Sequence, residues 1–221
     1  GGIKVTDDTG TLVASAASLV YVENDGSGGY QFALDSDLDI TLYARWRKTE
    51  TVYKLMSDNN PQPNIRYVVV FGDSENRILS HTTTDASAVY IANISTVPTG
   101  TYYTNMDGSA ELSGNYINNT VVTDSMLWTI RKGSTSNILR HAFSEGVEQY
   151  YLKYGGDGKG TVGKNQNFTY GYSNQYLAYT NNNKTYYVSC NTDGTLPSVI
   201  GDTKASKVSY YVETTVYTFS D

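Results

Sequence analysis

Tyr67-Val68-Val69-Val70-Phe71 decides the fold class. Five β-branched and aromatic residues in an unbroken run suit a strand buried on both faces. A second stretch reads differently. Lys207-Val208-Ser209-Tyr210-Tyr211-Val212-Glu213-Thr214-Thr215-Val216-Tyr217 sets Val208, Tyr210 and Val212 against Ser209, Tyr211 and Glu213. That period of two predicts a strand with one face in the core and Tyr211 and Glu213 on the other. Outward from these stretches, turn signals are dense: Asp25-Gly26, Asp107-Gly108, Gly155-Gly156-Asp157-Gly158, Asn181-Asn182-Asn183 and Asp193-Gly194. No segment has a persuasive helical period. Asp85 to Ala92 comes nearest, as one turn leading into a strand. The expectation is an all-β protein, a β-barrel or β-sandwich of closely spaced hairpins.

Composition agrees. The chain has 221 residues, enough to bury a real core. Tyr occurs 21 times, and charged residues are only 17%. Net charge is −6, with 16 scattered Lys and Arg, so no basic stripe serves nucleic acid or an anionic membrane surface. No run of about 18 apolar residues would span a membrane. The single cysteine, Cys190, permits no intrachain disulfide. It reads as a small buried side chain at a strand end, not as a nucleophile. The opening Gly1-Gly2-Ile3 carries neither Met nor a leader, so the chain reads as a piece of something longer.

A division is expected near residues 47 to 51. Residues 1–47 form a small β segment, Lys48-Thr49-Glu50-Thr51 a polar connector, and 52–221 the larger module. A loose repeat runs through that module. Asn76-Arg77-Ile78-Leu79-Ser80, Gln149-Tyr150-Tyr151-Leu152-Lys153-Tyr154 and Gln175-Tyr176-Leu177-Ala178-Tyr179 each place a Leu before a turn-rich stretch. The predicted unit is a hairpin whose Leu points inward. The unequal separations leave a β-trefoil-like fold as an alternative. Trp128 is expected in the core, and Trp46 as a packing plug between the two parts.

Candidate chemistry is sparse. Asp35-Ser36-Asp37-Leu38-Asp39 opens like a calcium loop, but Ile40 and Trp46 stand where that loop needs Gly and Glu. It reads as an acidic turn, with no metal assigned. Gly156-Asp157-Gly158-Lys159-Gly160 lacks the spacing of a phosphate cradle and reads as a hairpin tip. His81 and His141 have no zinc spacing, and no G-x-S-x-G elbow occurs, so no catalytic residue and no cofactor is assigned. A Lys–Asn isopeptide bond would need a buried carboxylate in the core. Glu213 is the candidate, though its alternation places it on the outer face; an intact mass lacking one ammonia would reveal the bond.

The most suggestive stretch is Phe168-Thr169-Tyr170-Gly171-Tyr172-Ser173-Asn174-Gln175-Tyr176. Rings beside amides suit sugars: the ring takes C–H groups and the amides take hydroxyls. Tyr170, Tyr172, Asn174, Gln175 and Tyr176 are the candidate ligand-binding residues. The bland alternative is that Tyr is simply a good strand residue, which accounts for most of the tyrosines.

Two stretches carry a resemblance. Asp39-Ile40-Thr41-Leu42-Tyr43-Ala44-Arg45-Trp46 resembles the C-terminal end of the Listeria–Bacteroides (internalin B-type) repeat, with Gly1-Gly2-Ile3-Lys4-Val5 matching its frequent opening. The stretch between Asp7 and Ser36 is longer than that pattern expects. From Val52 to Phe219, the succession of Tyr53-Lys54-Leu55, Tyr67 to Val70, Leu127-Trp128-Thr129-Ile130, Tyr176 to Tyr179, Asn183 to Val188 and Val208 to Glu213 is similar to an uncharacterised β module of large surface proteins of gut Gram-positive bacteria. The resemblance implies secretion, a cell-wall or cell-surface location, and contact with a host or neighbour. The reading is therefore a non-catalytic, adhesin-like module, monomeric within a larger multidomain chain. Its expected partners are host or microbial glycans or glycoproteins, such as mucin or secreted immunoglobulin. A structural spacer and an accessory domain of an extracellular enzyme are the alternatives.

Overall fold

The computed structural model describes residues 21–24, 30–33, 46–58, 60–72, 77–81, 85–91, 100–132, 137–141, 150–155, 158–164, 167, 169–173 and 175–220. The fold is all-β. The chain divides into two compact units, Gly1–Arg47 with Phe219–Asp221, and Lys48–Thr218. In the first, β1 (Tyr21–Asn24) and β2 (Tyr30–Ala33) pair antiparallel; the Asp25-Gly26 turn signal lies outside the described residues. The acidic stretch Asp35–Asp39 lies outside the described residues, as does the side chain of Trp46.

The remaining strands are β3 (Trp46–Leu55), β4 (Arg66–Phe71), β5 (Arg77–His81), β6 (Ala86–Tyr90), β7 (Tyr116–Asn118), β8 (Leu127–Lys132), β9 (Asn137–His141), β10 (Tyr151–Tyr154), β11 (Gly160–Gly163), β12 (Gly171–Ser173), β13 (Tyr176–Asn181), β14 (Lys184–Val188), β15 (Ser198–Ile200) and β16 (Val208–Ser220). The expected connector Lys48–Thr51 is instead the first half of β3; its Thr and charged side chains are tolerated where a strand faces water. Asp85 to Ala92 holds strand β6.

These strands join in one sheet with the order β15-β14-β13-β12-β9-β8-β4-β16-β3-β7; the hairpins β5–β6 and β10–β11 branch from β4 and β9. Among the described residues no ladder closes this path into a ring, so neither a closed barrel nor a trefoil is formed. The sheet instead folds over on itself. Val208 N–H donates to Gln175 O at 2.8 Å, and Ser206 N–H to Val188 O at 3.2 Å, so strands far apart in the sheet order share one core.

β4 is buried on both faces, as its composition predicts. Tyr67, Val69 and Phe71 enter one core with Leu79, Trp128, Ile130, Leu152, Tyr170, Leu177, Val188, Val208 and Tyr210. Val68 and Val70 enter a second with Tyr53, Ile78, Ile117, Met126, Leu127 and Tyr211. Trp128 is fully buried, and its Nε1–H donates to Leu79 O at 3.0 Å. The expectation for Tyr211 needs correcting. It is 3% exposed, because β3, β7 and the turn at Asp124–Met126 cover the side of β16 expected to face water. A tyrosine ring serves either environment, so alternation with Ser209 and Glu213 did not reveal this cover. Glu213 itself is exposed, 3.9 Å from Arg66. It therefore does not supply the buried carboxylate an isopeptide bond needs.

The three echoed leucines behave alike. Leu79, Leu152 and Leu177 are each fully buried in the first core, and each lies on the first strand of a hairpin: β5–β6, β10–β11 and β13–β14. Turn chemistry closes the hairpins as composition suggests. Asn182 and Asn183 both take positive φ, 49° and 60°, in the two-residue loop between Asn181 and Lys184, which is a type I′ geometry. Gly194 has φ 82°, and a Cβ there would lie 2.9 Å from Ala88 O. The Asp193-Gly194 turn thus docks on β6 with no space for a side chain; Ala88 N–H donates to Gly194 O at 3.1 Å.

Candidate functional site

Of the five candidate residues from Tyr170 to Tyr176, the four that are described do not converge on one surface. Tyr170 is fully buried, and its hydroxyl bonds with that of Ser198. Burial drives its phenol pKa up to about 12. It cannot present a ring to a sugar. Tyr172, two residues on, lies on the same face and packs edge-on to Tyr210, with centroids 5.1 Å apart and planes at 87°. It is half-buried against the first core. Asn174 lies outside the described residues. Gln175 is exposed, with φ 71°, and its carbonyl accepts from Val208. Tyr176 falls on the opposite face of β13, where its ring meets Tyr187 at 5.8 Å. Alternation along β12 and β13 thus sends the rings of this stretch to opposite sides.

A different set of tyrosines does converge. On β13, Leu177 is buried and Tyr179 follows it on the same face, toward the hairpin tip. On β14, Val188 is buried, and Tyr186 precedes it on that face. Tyr179 and Tyr186 are direct cross-strand partners, the placement in which side chains of an antiparallel pair interact. Their centroids are 6.3 Å apart and the planes differ by 23°. Tyr154 enters from the end of β10. It lies 4.8 Å from Tyr186 at 36°, and 5.9 Å from Tyr179 at 22°. Opposite Tyr154 the ladder partner is Gly160, over which Leu196 packs where a side chain would stand. Tyr170 supports the group from below, edge-on to Tyr179 at 6.5 Å.

The three rings are half-buried, so they form the rim where the core meets solvent. Around them the register adds distinct chemistry. Ile200, opposite Tyr186 on β15, is 62% exposed. Asn181 and Lys184, paired at the hairpin tip on the same face as Tyr179 and Tyr186, are both exposed. Burial raises the Tyr179 pKa, and the neighbouring Tyr186 and Tyr154 reinforce the shift, so this phenol stays neutral and a donor at neutral pH. The surface offers apolar ring area, an amide and an ammonium. Period-two reading of Leu177-Ala178-Tyr179 and Tyr186-Tyr187-Val188 hints at the Tyr179–Tyr186 pair; Tyr154 comes from a separate hairpin, and only the fold brings it in.

His81 is buried and packs edge-on to Trp128 at 5.3 Å. The side chain of His141, on β9, lies outside the described residues. Cys190 is half-buried just beyond β14; its N–H donates to Ser206 Oγ at 2.9 Å, and the Arg77 guanidinium lies 3.8 Å from its sulfur. Lys159 and Gly160 belong to the β10–β11 hairpin, with Gly158 at φ 78° in its turn, whereas Gly156 and Asp157 lie outside the described residues. Among the described residues, no three His, Cys, Asp or Glu side chains gather to hold a metal ion. Among them also, no helix is long and apolar enough to cross a membrane. No protein-family model, no curated protein and no solved structure matches the chain.

Proposed function

We propose that the chain is a non-catalytic binding module of a bacterial surface protein, and that it takes glycans or glycoproteins on the rings of Tyr154, Tyr179 and Tyr186. The observation that carries this reading is the convergence of three half-buried rings from two hairpins at a solvent-facing rim. Stacked, preformed aromatic surface binds with little loss of rotamer freedom, because each ring is already held by its neighbours. Sugar C–H groups suit such a platform, and Asn181 and Lys184 at its edge suit hydroxyl and carboxylate groups. The extracellular placement rests on the resemblance of Thr41 to Trp46 and on a surface chemistry of hydroxyls and amides with few charges.

A glycan array, with a pulldown against mucin and secreted immunoglobulin, tests the reading. Retention by the native chain, lost in the Tyr179→Ala, Tyr186→Ala double variant, is the expected result. If the folded native chain is retained by none of these, the binding reading falls and the spacer reading replaces it.

A further inference from the structure

We propose that Tyr154 and Tyr186 are a site of oxidative crosslinking, joined ring to ring as dityrosine. The inference rests on ring geometry alone and is independent of any glycan.

Tyr154 and Tyr186 have the shortest centroid separation in the surface group, 4.8 Å, with planes only 36° apart. Tyr179 lies near-parallel to both, at 5.9 and 6.3 Å. Three phenols this close exchange a hydrogen-atom vacancy readily, so a radical made on any of them reaches the pair that can couple. All three are half-buried: exposed enough for an oxidant, held enough to stay in register. The core tyrosines are arranged otherwise. Tyr172–Tyr210 and Tyr67–Tyr210 meet edge to face, at 87° and 80°, and Tyr210 is fully buried. Edge-to-face rings do not bring two ortho carbons together, and burial denies Tyr210 to an oxidant.

The chemistry needs a one-electron oxidant of the peroxidase class, with hydrogen peroxide as terminal acceptor. Each phenol gives up one electron and one proton. The two phenoxyl radicals couple through ring carbons ortho to the oxygens, forming one C–C bond. Each coupled carbon then passes its hydrogen, through solvent, to its own ring oxygen, which restores both aromatic phenols. The pair has lost two hydrogen atoms in all, and one hydrogen peroxide has become two waters.

The product would link the hairpin of β10 and β11 to that of β13 and β14. A chain with one cysteine has no disulfide to make such a staple. Crosslinking residues distant in sequence stabilises chiefly by restricting the unfolded chain, so the thermal midpoint should rise.

The test treats the dilute full chain with a peroxidase and one equivalent of hydrogen peroxide, isolates the monomer and maps crosslinked peptides by mass spectrometry. The expected product is one peptide pair, two hydrogens lighter than its parts, joined at Tyr154 and Tyr186, in monomer that shows dityrosine fluorescence and melts higher. Tyr154→Phe and Tyr186→Phe keep the ring packing, and each should abolish that product. Three results overturn the proposal: a crosslink mapped to any other pair, Tyr179–Tyr186 included; monomer fluorescence undiminished in the double Phe variant; or no monomer crosslink while exposed Tyr90 joins chains into dimers.

Discussion

Two groups of tyrosines occupy the same folded sheet and solve different problems. Tyr67, Tyr210 and Tyr172 run through the first core as an edge-to-face chain, with planes at 80° and 87°. Tyr154, Tyr179 and Tyr186 sit at the rim with planes 22° to 36° apart. In the core, the edge of one ring fits the electron-rich face of the next, with Tyr67 and Tyr210 enclosed and Tyr172 half-buried at the end of the chain. At the rim, solvent takes one side, and rings lie down over one another to cover the open end of the hydrophobic interior. The same residue type is thus scaffold at one end of the hairpins and presented surface at the other. Position along the strand, measured from Leu177 and Val188 toward the tip, decides which.

Several changes would break or sharpen that contrast. Tyr210→Ala should act most strongly: emptying a fully buried aromatic site between β4, β12 and β16 costs roughly 3–5 kcal/mol. Urea unfolding should show a collapse of the midpoint, or no folded protein at all. A midpoint close to the native one would mean that the core chain is no more structural than the rim. Alkali comes next. Burial first, then the charge of Glu213, raises Tyr53 from 10.0 to about 12. Burial and the bond to Glu50 raise Tyr102 to about 12, and burial first, with Tyr154 nearby, drives Tyr170 there against the opposing bond to Ser198. In each case the folded value lies above the unfolded one, so the folded state keeps protons the unfolded chain has lost. The stabilisation is whole below pH 10 and is lost as pH rises through 12. Phenolate absorbance and strand circular dichroism should change together across that window. Phenolate forming at these three positions while the sheet stays intact would contradict their burial.

Tyr67→Phe should cost less, about 1 kcal/mol. It keeps the ring between Val208's strand and Trp128's strand but removes a two-way bond: Gln62 N–H donates to the Tyr67 hydroxyl at 2.7 Å, and that hydroxyl donates to Gln62 O at 3.2 Å. A urea midpoint lowered while the slope is unchanged is the expected signature.

Much of the scaffold was legible because its signals are local. The run Tyr67 to Phe71 has no polar residue to turn outward, so both faces had to be covered, and they are. The asparagines at 182 and 183 favour positive φ, and the hairpin turns there. Leu79, Leu152 and Leu177 could be matched by their neighbours before any fold was known. What failed depended on the third dimension. Tyr211 looked like an outward residue because it alternates in step with Ser209 and Glu213, yet β7 and the Met126 turn arrive from elsewhere to bury it. The stretch from Tyr170 to Tyr176 looked like one binding face, but a strand sends neighbours to opposite sides and a turn resets the register. Tyr179 and Tyr186 flank one turn, but Tyr154 shares no sequence neighbourhood with them; two hairpins must pack before the three become a surface.

The smallest expected change in stability is the most informative about function. Tyr186→Ala removes a ring already half in water, and its loss leaves an open notch instead of a sealed cavity, so the cost should be about 1 kcal/mol or less. Tyr187→Ala, its neighbour on the other face of β14, removes a ring of the same size and similar burial that meets only Tyr176 among the described rings. The two variants therefore carry similar structural cost and differ in the side of the sheet they strip. If the rim is the binding surface, retention on mucin-type glycans falls at least tenfold in Tyr186→Ala and stays near the native level in Tyr187→Ala. Equal loss in both would trace the effect to stability, and equal retention would return Tyr154, Tyr179 and Tyr186 to the scaffold with the tyrosines beneath them.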